Sequence, residues 1–245
     1  MLKSNKIYLG DCLNVMKEIS DQSVDMILTD PPYGVSKNNW DKRVPLEKMW
    51  NEFLRVIKPN GAIVMTAVQP FSSMLINSQL NIFRYDLVWI KSIASGQLNV
   101  NKRPLRKHED ILVFYKKQPT YNQQFTDGEP YEIHRKITFA GEGYNQQKES
   151  SKINTGYRHP TSVIYVPNPR IKGGHPTQKP VELFERLIRT YTNEGDLVLD
   201  PFIGAGTTAI ASIKTKRNYI GIEIYKKYFD LSEQNIKKTC GFHDE

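Results

Sequence analysis

Cysteine is scarce in this chain: Cys12 and Cys240 are the only two in 245 residues. Two thiols so far apart make neither a disulfide framework nor a metal-ligand pattern, so no metal is expected. Long apolar runs are missing too. Residues 62–65 and 197–199 are far too short to cross a bilayer. The opening Met1-Leu2-Lys3-Ser4-Asn5-Lys6 holds no hydrophobic stretch of the kind a signal peptide needs. The expectation is a cytoplasmic protein with no membrane association. With 39% hydrophobic and 24% charged residues, the composition excludes a disordered or fibrous chain. Acidic residues are outnumbered, 26 against 34 Lys and Arg, which leaves a net charge of +8. The excess concentrates between Arg84 and Lys117, where eight Lys or Arg face only Asp86, Glu109 and Asp110. Its centre is Lys102-Arg103-Pro104-Leu105-Arg106-Lys107. Such a cluster suits contacts to phosphates, and equally a solvated loop; charge alone does not choose.

What is present is an alternation of short β-like and helix-like runs, the pattern of a doubly wound, mostly parallel α/β sheet. Residues 24–29 read as a strand ending at Asp30. Residues 46–57 carry apolar side chains at 46, 49, 50, 53, 54 and 57, a helical period that stops at Pro59-Asn60-Gly61. Strands are expected at 62–66, 85–90 and 111–115, with a helix over 70–80. From 116 to 172 the pattern fails in a stretch rich in Gln, Asn, Tyr, Gly and Pro, read as an insertion with small strands. Regularity returns with a helix over 181–192, a strand at 196–200, a helix from Thr207, a strand at 218–224 and a helix over 226–238. The division is one α/β domain in two halves, 1–115 and 173–245, with the insertion 116–172 between them.

In the second half, Leu197-Val198-Leu199-Asp200-Pro201-Phe202-Ile203-Gly204-Ala205-Gly206-Thr207-Thr208 runs from a buried strand through a glycine turn into a helix. Gly204 and Gly206 let a ligand approach the backbone, since no Cβ intrudes. The helix start offers free N–H groups to an anion. Glu223, seventeen residues after Gly206, ends the next strand, where an acid accepts hydrogen bonds from a ribose diol. These parts fit any adenosine-containing cofactor. With Ala at 209 in place of a third glycine, a dinucleotide is not excluded.

In the first half, Asp30-Pro31-Pro32-Tyr33 follows a strand and should lie at the carboxyl edge of the sheet, where ligands bind in open α/β folds. Two prolines fix φ and remove two N–H donors, leaving outward carbonyls in a rigid turn. One carboxylate, free carbonyl acceptors and one aromatic ring suit a planar base that carries an amino group. Asp30 and the Pro31 carbonyl would accept the amine hydrogens while Tyr33 stacks on the ring. The plain alternative is a strand-end turn capped by Asp30. Beside the tetrapeptide, the loop 34–45 carries Lys37, Asn38, Asn39, Trp40, Lys42 and Arg43. It reads as an element that closes over a base or contacts a nucleic-acid backbone, with Trp40 equally suited to anchoring the core.

Taken in order, these segments resemble the N6-adenine and N4-cytosine DNA methyltransferases in the permuted arrangement called the β class. The matching residues are Leu9-Gly10-Asp11-Cys12, the tetrapeptide, Arg55-Val56-Ile57-Lys58-Pro59-Asn60-Gly61, Trp89-Ile90-Lys91, His175-Pro176-Thr177-Gln178-Lys179-Pro180, the glycine turn and Glu223. The resemblance spans nearly the whole chain except 116–172, where that family carries its target-recognition region. It implies a circularly permuted fold of the S-adenosylmethionine-dependent methyltransferase type, with residues 30–33 catalytic. Phe202, Gly204, Gly206 and Thr207 would line the methionine part of the cofactor, Asp200 would belong to the same cofactor site, and Glu223 would hold the ribose. Asp11 and Cys12 would border its adenine, with Asp11 also placed to cap the helix that follows. Lys179 would lie near the cofactor.

The implied acceptor is a base flipped out of double-stranded DNA, with Lys37, Lys42, Arg43, Lys102, Arg103, Arg106 and Lys107 as DNA contacts. Asp in the first position of the tetrapeptide favours adenine N6; cytosine N4 stands as the alternative, and an RNA or protein methyltransferase is a more distant one. A DNA-binding protein without catalysis would show a damaged tetrapeptide or glycine turn, and both are intact. A homodimer and a restriction endonuclease partner are left open by the sequence.

Overall fold

The computed structural model describes residues 2–34, 43–135, 150–169 and 178–241. Expectations on Lys37, Trp40, Lys42 and residues 175–177 lie outside them. The chain forms β1 (Lys6–Leu9), α1 (Cys12–Val15), β2 (Val24–Thr29), α2 (Leu46–Val56), β3 (Ile57–Ala67), α3 (Phe71–Ser78), β4 (Phe83–Ser95) and β5 (Arg106–Phe114). Short strands β6 (Thr126–Asp127), β7 (Tyr131–Arg135), β8 (Ser150–Asn154), β9 (Tyr157–Arg158) and β10 (Val163–Tyr165) follow. The remaining elements are α4 (Val181–Tyr191), β11 (Leu197–Asp200), α5 (Thr207–Lys214), β12 (Asn218–Glu223) and α6 (Lys226–Thr239). Among the described residues, no helix is long and apolar enough to cross a membrane.

Eight strands make one sheet in the order β1-β12-β11-β2-β3-β5-β4-β10. From β1 to β3 every pairing is parallel, β5 runs antiparallel to both β3 and β4, and β10 is parallel to β4. The α/β, mostly parallel sheet expected from the alternation is thus present. Its order interleaves the two ends of the chain. β2 pairs directly with β11, Met26 opposite Val198 and Ile27 opposite Leu199. The turn after β2 therefore stands beside the turn after β11.

Both faces of the sheet are covered, which is why its central strands are near-continuous apolar runs rather than alternating ones. Ile27, Ile63, Met65 and Leu199 pack with Met49, Trp50 and Phe53 of α2 and Phe71 of α3. Met26, Leu28, Val64 and Val198 turn to the opposite face, against Leu183, Phe184, Leu187 and Ile188 of α4. Each fully buried large side chain contributes about 1.5–3 kcal/mol. Trp50 also donates Nε1–H to Ser78 Oγ at 2.8 Å, which satisfies its one polar atom.

Three differences from the sequence expectations have physical causes. The residues 59–61 do not separate α2 from a later strand; β3 begins at Ile57, and the β2–β3 register shifts between Val24 and Met26 to absorb them. Pro59 has no N–H for the ladder, and a Cβ on Gly61 would lie 2.8 Å from Asp25 O, so this segment bulges. β4 and β5 are longer than 85–90 and 111–115, because they pair with each other beyond the buried part of the sheet. β1 escapes notice in the sequence because only Ile7 of its four residues is buried.

Residues Gln123–Thr161 form a compact unit separate from the rest. Within it β6 pairs with β9 and β7 with β8, both antiparallel. Among its described residues, Phe125 packs on Tyr157 and His159, and Arg158 lies over the Tyr131 ring at 4.6 Å. The flanks of the stretch 116–172 belong to the larger unit, where β10 extends the sheet edge and Trp89 Nε1 donates to Val166 O at 2.8 Å.

Candidate active site

The carboxyl ends of β1, β2, β11 and β12 all open on one cavity of about 500 Å³. Its wall includes Asp11 and Cys12 after β1, the tetrapeptide after β2, residues 200–205 after β11, and Glu223 at the end of β12. Gln178, Lys179 and Glu109 complete it on the β5 side, and Arg43 borders it from the described end of the 34–45 loop. The two halves read separately in the sequence meet here.

Asp30 is the most heavily bonded residue of the tetrapeptide. Its Oδ1 accepts from the Tyr33 hydroxyl at 2.5 Å and from Thr66 Oγ1 at the end of β3. Its Oδ2 accepts from Lys179 Nζ at 2.6 Å. A carboxylate has about four lone-pair sites. Among the described residues three are used, which leaves one on Oδ2. Burial first, and then the Asp30 and Glu109 carboxylates, push the Tyr33 hydroxyl well above its ordinary pKa, so it remains a donor. The Tyr33 ring rests against Phe71 at 5.5 Å, and Lys179 Nζ lies 5.6 Å from its centroid.

Lys179 is buried. Burial alone would lower its pKa, but Asp30 and Glu109 outweigh that and hold it above the ordinary lysine value. Glu109 Oε2 lies 3.3 Å from Lys179 Nζ in an ion pair without hydrogen-bond alignment. Its Oε1 accepts from Lys91 Nζ at 3.1 Å. Thr66, Glu109 and Lys91 were not singled out from the sequence as site residues. Thr66 is a polar residue at the end of an apolar run, Glu109 stands among the charged residues 106–110, and Lys91 showed only as part of Trp89-Ile90-Lys91; each becomes informative once its partner across the sheet is known.

On the other side of the cavity, Gly204 and Gly206 adopt φ of +54° and +90°, values that favour glycine. A Cβ on Gly206 would stand 3.2 Å from Ser232 Cβ in α6, so its absence also lets that helix approach. A Cβ on Gly204 would meet nothing nearer than Phe202 O at 4.0 Å, which leaves the wall there as bare backbone. Glu223 clamps the turn: Oε2 accepts from Gly204 N at 3.0 Å and Oε1 from Tyr225 N at 2.8 Å. Burial raises its pKa, partly offset by these backbone donors. Asp200 is occupied within the fold. Oδ1 accepts from Thr29 at 2.6 Å and from Phe202 N at 3.0 Å, and Oδ2 from Thr208 Oγ1. Thr207 is buried at the start of α5, with Oγ1 3.5 Å from Lys179 O. Asp11 caps α1 by accepting from Asn14 N at 3.1 Å, as expected, and Cys12 is buried behind it.

The basic cluster lies elsewhere. Lys102, Arg103 and Lys107 are exposed at the β4–β5 hairpin, and Arg106 reaches Gln69 O at 3.4 Å. At the tip Leu98 is fully exposed. β5 starts where β3 ends, with Asp110 opposite Ala67, so the hairpin rises from the same sheet edge as the cavity.

A mostly parallel sheet that brings a glycine turn, a strand-ending acid and an Asp-Pro-Pro-Tyr turn to one cavity defines an α/β methyltransferase. The sequence profile of the DNA methylase family, the N6/N4 methyltransferases, matches residues 24–234, and the chain belongs to that family. It is 33% identical over 260 residues to the Type II methyltransferase M.BglII from Bacillus subtilis, covering 94% of this chain and 68% of that protein. A crystal structure of the M1.HpyAVI–SAM complex aligns with a TM-score of 0.64 and 25% identity, over 94% of this chain and 98% of that one. The PvuII DNA methyltransferase (cytosine-N4-specific) aligns with a TM-score of 0.68 over 99% and 92% of the two chains. At 18% identity that likeness concerns the fold alone.

The family's methyl donor is S-adenosylmethionine, and the residues present fit it. The cavity is of the size that holds such a molecule. Bare backbone at Gly204 leaves room for it, and Glu223 on the same wall is an acceptor suited to a hydroxyl. Phe202, Ile224, Tyr225 and Tyr228 add an apolar wall suited to a purine.

Proposed function

We propose that this chain methylates the N6 amine of adenine in double-stranded DNA, with S-adenosylmethionine as donor. The observation that carries the reading is the open lone pair on Asp30 Oδ2, in the same cavity as the Gly204 backbone and Glu223. In this reading Glu223 holds the ribose hydroxyls, and Asp11 and Cys12 border the adenine of the cofactor. Phe202, Gly204, Gly206 and Thr207 line its methionine part, while Asp200 fixes the turn through Thr29 and Thr208. Bound there, S-adenosylmethionine supplies an electrophilic methyl group on a sulfonium.

The amine of a stacked adenine is out of reach, so the base is flipped into the cavity. Its lone pair is delocalised into the ring, which makes it a poor nucleophile. Asp30 and the Pro31 carbonyl accept the two amine hydrogens and bias the nitrogen toward a tetrahedral geometry, which localises that pair. The nitrogen takes the methyl group in line and then loses a proton to Asp30 or to water. Holding the two groups in line accounts for up to roughly 7–11 kcal/mol of barrier lowering in favourable cases. Tyr33 keeps Asp30 oriented through its hydroxyl and offers its ring to the base.

DNA is held outside the cavity by Arg43 and by Lys102, Arg103, Arg106 and Lys107 of the β4–β5 hairpin. The stretch 116–172 reads the target sequence. Asp30 is also what favours adenine over the N4 amine of cytosine. Expression in a host lacking DNA methylation, followed by native sequencing of its genome, tests the reading. N6-methyladenine recurring in one sequence motif is expected; N4-methylcytosine, or modified RNA beside unmodified DNA, overturns it.

A further inference from the structure

Four buried or half-buried charges alternate away from the tetrapeptide. Asp30 Oδ2 meets Lys179 Nζ at 2.6 Å, Lys179 meets Glu109 Oε2 at 3.3 Å, and Glu109 Oε1 meets Lys91 Nζ at 3.1 Å. Lys91 ends the row by donating to Ser95 Oγ at 3.0 Å. Both lysines are nearly inaccessible, at 5% and 4% of their surface. Desolvating two ammonium groups is costly, and a row of this kind often adds nothing to stability that well-packed apolar side chains would not. Its purpose is better sought in the cavity.

Asp30, Lys179 and Glu109 line that cavity, whereas Lys91 does not. Suppose Glu109 carried no charge. Lys179 would then neutralise Asp30 alone, and the amine nitrogen, which gains positive charge as the methyl group arrives, would face an ion pair with no net charge. With Glu109 ionised, the members of the row that line the cavity are two carboxylates and one ammonium; Lys91, which balances Glu109, stands on its far side and outside the cavity. Glu109 also shares Lys179 with Asp30, which fixes the ammonium on one side of Oδ2 and keeps the last lone pair of that oxygen open. Fixed charges of this kind act most strongly when water is excluded.

We infer that Glu109 is a positioning residue for methyl transfer: through Lys179 it orients Asp30 and sets a second carboxylate on the cavity wall. The inference rests on the amine-methyltransferase reading above. It assigns Glu109 no contact with the substrate. Lys91 is the counter-ion that makes Glu109 tolerable in the sheet, where Glu109 stands opposite Trp89 in the β4–β5 ladder.

Glu109→Gln alone strands the Lys91 ammonium and is expected to destabilise the protein, so the informative variant is Lys91→Met with Glu109→Gln. Removing both charges together keeps the interior neutral. The measurements are melting temperature, calorimetric binding of S-adenosylmethionine, and kcat and KM on DNA. The double variant is expected to melt like the wild type, with cofactor affinity and KM little changed and kcat lower by roughly tenfold or more. Wild-type kcat in the double variant overturns the inference. So does a loss confined to KM or to cofactor binding, or a double variant that does not fold, since each makes the row a binding or purely structural feature. A wild-type protein that methylates no DNA instead overturns the reading on which the inference rests.

Discussion

Thr29, the last residue of β2, donates its hydroxyl to Asp200, the last residue of β11, at 2.6 Å inside the protein. The bond ties the strand that carries the tetrapeptide to the strand that carries the glycine turn. In the proposed reaction the donor and acceptor sites lie on these two neighbouring strands and must keep a fixed separation, which this bond helps to hold.

Asp200 gives the bond a pH signature. Burial, only partly offset by Thr208, Thr29 and the Phe202 N–H, raises its pKa from 3.8 to about 6. The folded state therefore binds a proton that the unfolded chain has already lost between those values. The stability from this group is fully present below about pH 4 and is lost as pH rises through about 6, by roughly 2–3 kcal/mol. Urea midpoints at pH 4.5 and 7.5 check this. Relative to wild type, Asp200→Asn is expected to lose stability at the lower pH and recover toward parity at the higher one. A constant difference at both pH values contradicts the assignment.

The two thiols should separate cleanly. Cys12 is buried, and burial first, with Asp11 beside it, pushes its pKa up to about 12, while Cys240 is exposed. Titration of the native protein with a chromogenic disulfide at pH 8 should show one thiol reacting at once. The second should react only at the rate of unfolding. Two fast thiols would mean that the β1–α1 turn opens readily.

The β4–β5 hairpin predicts a salt dependence. Replacing Lys102 and Arg103 by Gln should weaken binding to DNA of any sequence. It should flatten the slope of log affinity against log salt by roughly one unit per lost cation. The rate at saturating DNA should stay unchanged. An unaltered slope would return the cluster to the role of a solvated loop.

Much of this was legible in the sequence, and the unread part has a physical pattern. Periodicity found α2 and α4 because their buried positions repeat along one stripe, and it found β2 and β11 because burial on both faces leaves continuous apolar runs. It missed β1, which has one buried residue, and it ended β4 early and began β5 late, because their pairing beyond the core follows hydrogen bonds rather than apolar runs. Asp30, Gly204, Gly206 and Glu223 were legible through local motifs. Thr66 and Glu109 were not, and Lys91 showed only within Trp89-Ile90-Lys91, since the partners of all three depend on sheet order. Only the antiparallel insertion of β5 between β3 and β4 brings Glu109 to the edge where Asp30 stands.

Amine methylation at Asp30 is tested most directly by nucleoside analysis. Purified wild-type protein and Asp30→Ala would each be incubated with unmethylated duplex DNA and S-adenosylmethionine, and the DNA digested and resolved by mass spectrometry. The account predicts N6-methyldeoxyadenosine from the wild type and none from the variant, although the variant still binds the cofactor. N4-methyldeoxycytidine, or equal methylation by both proteins, would contradict it.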